Sequence, residues 1–97
     1  MRTIRRANQF KKDYKRETKG RSANYINKLD ADLVAAVRVL AADGMLDAHY
    51  RDHPLVNEWK NHRDCDIRPD LVLIYRKPDG DTLELVRIGS HSELGLK

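Results

Sequence analysis

The chain has 97 residues and a formal net charge of +4, with 40% hydrophobic and 35% charged residues. This length suits a single domain spanning residues 1–97, and the hydrophobic content excludes an intrinsically disordered chain. The one cysteine, Cys65, excludes an internal disulfide, and no apolar run approaches the roughly 20 residues that cross a bilayer. Since "MRTIRRANQF" also lacks an apolar signal segment, the composition favours a soluble, cytoplasmic protein with no membrane partner.

The first predicted elements are a short strand and a basic helix. "RTIRR" alternates weakly and is charged enough to lie at a sheet edge. Asn8 is expected to cap the helix that follows, which carries Phe10 and Tyr14 on one face because they are four residues apart. Gly20 is expected to end this helix.

A second helix is the strongest periodic signal in the chain. In "YINKLDADLVAAVRVLAADG", apolar residues recur at steps of three and four, which predicts an amphipathic helix that ends before Gly44. These residues are Ile26, Leu29, Leu33, Val37 and Leu40. Residues 45–57 lack such a period and are predicted to form a loop.

The C-terminal half predicts three strands. "EWKNHRDCDI" alternates in part, "DLVLIYRK" has the composition of a buried strand, and "TLELVRIG" follows a tight turn at residues 78–81. In the last strand, Leu83, Leu85 and Arg87 are expected on one face and the intervening residues on the other. The order β-α-α-β-β-β predicts an α+β fold in which two helices pack on one face of an antiparallel sheet and the other face is free to bind a ligand.

His53, Asp70 and His91 are the candidate acid–base groups. Imidazole titrates near neutrality, and each of these residues follows or precedes a predicted strand. Each also has a simpler interpretation: an exposed loop histidine, a turn carboxylate, and a histidine without a role. The residues alone leave both possibilities open.

Arginines near these groups favour an anionic substrate. Arg87, on the last strand, either pairs with Glu84 or Asp70 or binds a phosphate with its planar guanidinium. Lys60 and Arg63 would extend such a phosphate site. The basic balance of the chain is typical of proteins that bind nucleic acid or an acidic protein.

The sequence predicts no metal and no cofactor. His49 and His53 are four residues apart, but Pro54 argues against the helix that would bring them to one face. There is no HExxH motif, no cysteine pair, no P-loop and no GxGxxG. Cys65 is expected to pack as a small apolar residue.

An acid–base pair beside an arginine is suited to metal-independent RNA cleavage. That reaction needs a base for the 2′-OH, an acid for the 5′-oxygen and cations around the phosphate. The 2′-OH is an internal nucleophile, so the reaction does not require a metal. Composition and spacing permit this chemistry without requiring it.

Four motifs extend the interpretation: "YRDHPL", "W-K-x-x-R-D", "PD-x-x-L-I-Y" and "R-x-G-x-H". Through these motifs the chain resembles the YafQ branch of the RelE-type toxins of bacterial type II toxin–antitoxin systems. The resemblance extends over the whole length, and the motifs and predicted elements come in the same order. The resemblance implies a RelE-like fold and a ribosome-dependent mRNA endoribonuclease, or mRNA interferase. It also implies three partners, namely the ribosome with its rRNA, mRNA in the A site, and a cognate antitoxin that silences the toxin.

The resemblance assigns catalytic roles to His53, Asp66, Asp70, Arg87 and His91. His91 would be the general acid or would hold the phosphate. Asp70 or His53 would be the base. Arg87 would stabilise the negative charge that develops on the phosphate.

Two positions depart from the family pattern. Asp66 replaces a histidine, and His62 is a poorer substitute because it lies about 13 Å away along an ideal strand. Gly95 occupies the position of an aromatic residue, and its neighbours Leu94 and Leu96 have no π face on which a base could stack.

Basic side chains are predicted to bind RNA. They are Lys11, Lys12, Lys15 and Arg16 on the first helix and Lys60 and Arg63 before the third strand. A solvated helix face is the alternative interpretation of the first group.

Other functions compete with the toxin hypothesis. A protein of the same fold that binds RNA or antitoxin without cutting is the main alternative. A nucleic-acid-binding regulator would need no His91, and a secreted ribonuclease is disfavoured by the single cysteine.

Overall fold

The computed structural model describes residues 1–96, which form two helices and a five-stranded sheet. The helices are α1 (Asn8–Thr18) and α2 (Ala23–Ala41). The strands are β1 (Thr3–Arg6), β2 (His53–Pro54), β3 (Arg63–Arg68), β4 (Leu71–Arg76) and β5 (Thr82–Gly89). The strand order is β1-β5-β4-β3-β2, with β1 parallel to β5 and the other pairs antiparallel. The α+β fold class is confirmed, and the parallel β1 makes the sheet mixed.

The main core lies between the helices and one face of the sheet. α2 contributes its periodic leucines and valines, and α1 contributes Phe10, which is almost fully buried. The strands supply every second residue because side chains alternate across a sheet. These residues are Cys65, Ile67, Leu71, Leu73, Tyr75, Leu83, Leu85 and Ile88.

The expected face assignment of β5 is wrong at its C-terminal end. Ile88, rather than Arg87, joins Leu83 and Leu85 in the main core. The pairing with β4 shifts by one residue between Ile74 and Tyr75, which is the signature of a β-bulge. The additional residue reverses the alternation, and a pattern of strict period two does not reveal it.

The start of α1 also differs from the prediction. Ala7, not Asn8, is the N-cap residue, and it makes no side-chain capping bond. Ala7 still belongs to the β1 ladder, because its N–H donates to the Leu85 carbonyl at 2.9 Å. α1 therefore begins directly after β1, with no loop between them. By contrast, Ser22 caps α2 by accepting a hydrogen bond from the Tyr25 N–H at 3.1 Å.

The segment predicted as a loop, residues 45–57, contains the short β2 strand and a 3-10 turn at Ala48–Tyr50. His53 pairs directly with Asp64 across the β2–β3 ladder, and the Leu55 N–H donates to the His62 carbonyl at 2.9 Å. Two-residue strands have no periodicity of their own, so only the partner strand reveals them.

The sheet face opposite the helices is partly covered, which corrects the expectation of a free face. Val72, Ile74 and Leu94 are buried there. Leu55, Trp59, Val86 and Leu96 pack around them. The chain segments that follow β2 and β5 thus close much of this face and leave a cleft between them. Within residues 1–96, neither helix is long and apolar enough to cross a membrane.

Candidate active site

The cleft on the sheet face opposite the helices, called the second sheet face below, encloses about 230 Å³. Its lining consists of Arg51, His53, Leu55, Asp64, Asp66, His91 and Leu96. Two of the predicted histidines and one predicted carboxylate therefore meet here, although they are far apart in the sequence.

β3 supplies the two carboxylates in the cleft. Cys65 and Ile67 point into the main core, so the alternating positions Asp64 and Asp66 face the opposite side of the sheet. The Asp66 side chain is 19% exposed, and its carboxylate lies 4.0 Å from the Arg51 guanidinium. His62 does not line the cleft, because its ring packs against Trp59 and its Nδ1 lies 3.0 Å from the Lys60 carbonyl.

His53 and Asp64 form the first of two histidine–aspartate pairs. The His53 Nε2 lies 2.9 Å from Asp64 Oδ1, and Nδ1 lies 2.6 Å from the carbonyl of Arg51. Because a carbonyl only accepts, Nδ1 carries a hydrogen and Nε2 is the nitrogen that exchanges a proton. Nε2 faces the Asp64 carboxylate, whose Oδ1 receives no hydrogen bond from residues 1–96.

Asp64 is a buried carboxylate, with 3% of its surface exposed. Burial raises the pKa of Asp64, the nearby His53 opposes that rise, and Asp66 adds to it. Asp64 is thus a carboxylate with an unfavourable buried charge, placed beside the His53 ring.

Asp70 and His91 form the second pair. Asp70 lies in the turn between β3 and β4 with a left-handed backbone (φ 57°). Its Oδ1 accepts from the His91 N–H at 3.1 Å and lies 3.0 Å from the ring Nδ1. These two hydrogen bonds lower the pKa of Asp70. Asp70 therefore stays anionic and orients the ring, and Nε2 of His91 is left to donate or accept a proton.

Arg87 lies outside the cleft and pairs with neither Glu84 nor Asp70, the partners that the simpler of its two interpretations offered. Its Nε lies 2.6 Å from Oδ2 of Asp13, a residue of α1 that is fully buried. The β-bulge turns the Arg87 side chain away from the main core. At this point β1 no longer pairs with β5, and Arg87 contacts α1 instead. Arg51 is the arginine that lines the cleft.

The residues predicted to bind RNA divide into two groups. Lys11, Lys12, Lys15 and Lys60 are exposed. Arg16 and Arg63 are engaged within the protein: Arg16 with Asp13, Glu17 and Glu93, and Arg63 with Asp52. Their roles in RNA binding stay predictions.

Sequence reasoning missed Asp64 and Arg51. Asp64 could have been found, because it is two residues from Asp66 and so shares its strand face. Arg51 has a left-handed backbone (φ 53°) after the 3-10 turn, and no sequence period indicates where it points. Within residues 1–96, no three His, Cys, Asp or Glu side chains converge to hold a metal ion.

Comparison with known proteins identifies the family. The family model described as "Bacterial toxin of type II toxin-antitoxin system, YafQ" matches residues 2–96. A Haemophilus influenzae protein named as a YafQ toxin is 39% identical over 80 residues, which cover 79% of this chain and 76% of that protein. The mRNA interferase toxin YafQ of Escherichia coli is 45% identical over 49 residues, half of this chain and 52% of that protein.

Solved structures agree over almost the whole chain. A chain of the E. coli DinJ–YafQ complex matches with a TM-score of 0.78 and 34% identity, covering 97% of this chain and 98% of that one. A copper-bound mutant toxin from Helicobacter pylori matches with a TM-score of 0.82 and 36% identity, covering 97% and 99%. On its sequence and its fold alike, the chain belongs to the YafQ family of toxins of bacterial type II toxin–antitoxin systems.

Proposed function

We propose that this chain is an endoribonuclease that cuts mRNA on the ribosome and is silenced by a cognate antitoxin. The observation that carries the proposal is the cleft that His53, Asp64 and His91 line together, with Asp70 bound to the His91 ring from outside the cleft. The name of the E. coli relative, mRNA interferase toxin, supports the choice of substrate.

In the proposed reaction, His53 is the base. Its Nε2 takes the proton from the 2′-OH of the nucleotide before the scissile bond, and the nearby Asp64 stabilises the resulting imidazolium. The 2′-oxygen attacks phosphorus and the bond from phosphorus to the 5′-oxygen breaks. The products are a 2′,3′-cyclic phosphate and a free 5′-OH.

His91 is the acid of the same step. With Nδ1 bound to Asp70, its Nε2–H gives a proton to the departing 5′-oxygen, and the Asp70 carboxylate stabilises the charged ring beforehand. Arg51 lies at the cleft to offset the negative charge that builds on the phosphate. Asp66, 4.0 Å from Arg51, is the carboxylate nearest to that guanidinium in the cleft.

The ribosome is the proposed platform. Lys11, Lys12 and Lys15 are exposed along α1, and Lys60 is exposed near the second sheet face. Cations spread in this way bind a phosphate backbone without reading its sequence. They would position the toxin while the cleft contacts the message.

The antitoxin is proposed to occupy a separate groove of about 680 Å³ between β1, α1 and α2. Ile4 and Val34, each 45% exposed, contribute apolar surface, and Arg6 and Lys11 add positive charge at its rim. This combination fits an acidic amphipathic segment. The E. coli YafQ structure in complex with DinJ supports an antitoxin as the partner.

Primer extension on translated mRNA tests the proposal. Wild-type protein should produce cuts within codons, and His91→Ala should produce none while still folding and binding antitoxin, because His91 is 40% exposed and is not part of the main core. Equal cutting by wild type and His91→Ala would contradict the assignment.

A second candidate function is a toxin-like protein that binds RNA or antitoxin without cutting. Asp66 in place of the family's histidine and Gly95 in place of an aromatic residue favour it. Absence of cuts from the wild-type protein, with ribosome binding intact, would support this alternative.

A further inference from the structure

The turn that carries His91 is held by hydrogen bonds between its own residues. Glu93 accepts a hydrogen bond from the Ser90 N–H at 2.9 Å, and the Ser90 hydroxyl accepts one from the Glu93 N–H at 3.0 Å. The Leu94 N–H donates to the Ser90 carbonyl at 3.1 Å, which completes a single helical turn. His91 lies inside this turn, so its backbone position follows that of Ser90 and Glu93.

Arg16 of α1 connects this turn to the rest of the protein. Its Nε lies 3.2 Å from the second oxygen of Glu93, its Nη1 lies 2.9 Å from Asp13, and its Nη2 donates to the Ile88 carbonyl at 3.0 Å. The guanidinium crosses β5 directly above Gly89, where a Cβ would approach it to 2.8 Å. Only glycine leaves room for this crossing.

Asp13 anchors the arrangement from inside the protein. β1 pairs with β5 only as far as Leu85, and beyond that point the Ile88 N–H donates to the Asp13 carboxylate at 3.2 Å. Asp13 thus replaces a strand partner, and it also binds Arg16 and Arg87. Burial alone would raise the pKa of Asp13, but hydrogen bonds from Arg87, Ile88 and Gln9 lower it below its ordinary value.

We propose that Asp13, Arg16 and Glu93 form a brace that positions the His91 ring in the cleft, and that Arg87 belongs to this brace. The inference rests on the proposed function and deepens it, because it makes these four residues outside the cleft positioning residues for its general acid. None of the four lines the cleft. The brace instead connects the middle of α1 to the turn that carries His91.

Two variants test the brace: Glu93→Gln and the control Asp81→Asn. In Glu93→Gln, the amide oxygen still accepts from the Ser90 N–H, but the side chain no longer carries the negative charge that pairs with Arg16. Asp81 is exposed in the turn before β5, outside both the brace and the cleft. Each variant replaces one carboxylate by its amide, and only Glu93→Gln cuts the connection.

Nitrogen-15 NMR of the His91 ring and steady-state cleavage are the two measurements. We expect Glu93→Gln to shift the ring resonances and to lower kcat about tenfold with KM unchanged, because small displacements of an acid cost rate rather than binding. Asp81→Asn should match wild type in both. If Glu93→Gln also matches wild type in ring signals, or cuts at the wild-type rate despite a shifted ring, the brace is overturned.

The two proposals fail in distinguishable ways. A shifted ring in Glu93→Gln, with no cleavage by the wild-type protein, would retain the structural connection and remove the nuclease function. Cleavage by the wild-type protein, with an unmoved ring in Glu93→Gln, would retain the nuclease and remove the brace.

Discussion

The two aspartates that contact the cleft histidines differ in their surroundings, and this difference supports the different roles proposed for the two rings. Asp70 is exposed, and its hydrogen bonds from His91 lower its pKa. Asp64 is buried, and that burial raises its pKa. An anion that stays charged suits a ring that must hold a proton to donate, whereas a buried carboxylate is stabilised when the ring beside it takes up a proton and becomes positive.

Asp64→Asn separates catalysis from stability. Burial of the charged carboxylate is unfavourable, so removing its charge should leave the melting temperature at neutral pH unchanged or raise it. Cleavage should fall by about tenfold or more, since the imidazolium of His53 loses its nearby anion. Thermal denaturation and primer extension check the two outcomes. A large drop in melting temperature with full activity would show that Asp64 is structural.

The pH dependence of this variant follows from the sign of the shift. Because the pKa of Asp64 is higher in the folded protein than in the unfolded chain, the folded state binds more protons between the two values. The wild-type protein therefore loses stability from this group as the pH rises through that window. Asp64→Asn should remove that part of the pH dependence, which denaturation at a series of pH values would measure. A stability curve that keeps its slope in Asp64→Asn would contradict the assignment.

The family motifs contain most of the site residues but do not single them out, since Arg51 and Asp64 stand in the same motifs and were missed. His53, Asp66 and His91 line the cleft, and Asp70 contacts His91. Arg87 does not line it, because its direction depends on a bulge and its partner is Asp13, 74 residues away. Long-range pairing of that kind leaves no trace in local spacing.

At the scale of elements, β5 controls both the core and the site. Its first half buries leucines under the helices, and its second half, after the bulge, presents Arg87 to α1 and ends at the His91 turn. The two helices and the last three strands follow from period and composition. β2 and the parallel pairing of β1 do not, because each depends on a strand elsewhere in the chain.

Gly89→Ala tests whether the end of β5 needs close packing. An added methyl would lie 2.8 Å from Arg16, 3.2 Å from Glu93 and 3.3 Å from Leu94. The hydrogen bonds and ion pairs of Arg16 limit how far its guanidinium can move away. We expect a loss of about 1–3 kcal/mol in the free energy of unfolding, as for other overpacked sites. Gly80→Ala is the control, since nothing lies within 4 Å of its added Cβ. Equal stability of the two variants in urea would show that the crossing is not tight.

At the scale of the whole molecule, opposite sides carry different surfaces. The cleft lies on the sheet face away from the helices, whereas the apolar groove lies between β1 and the two helices. An antitoxin bound in the groove, as proposed, would leave the cleft unfilled. Residues from β1, α1 and α2 form the groove, so no single segment of the sequence predicts it.

Val34→Glu tests the groove as the antitoxin site. A negative charge in the groove should repel an acidic segment and reduce antitoxin affinity at least tenfold, while mRNA cleavage stays at the wild-type level. Met45→Glu is the control, because Met45 is 95% exposed and lies outside the groove. Calorimetric titration with the purified antitoxin measures both. Wild-type affinity for Val34→Glu would place the antitoxin elsewhere.

The most direct test of the central claim uses ribosomes programmed with an mRNA that carries a single 2′-deoxynucleotide immediately before the scissile bond. The two histidines are proposed to act on a 2′-OH, so removal of that one oxygen should abolish cleavage at this bond. The all-RNA message should still yield a 2′,3′-cyclic phosphate and a 5′-OH. Cleavage of the deoxy-substituted message at the same bond and the same rate would contradict the account.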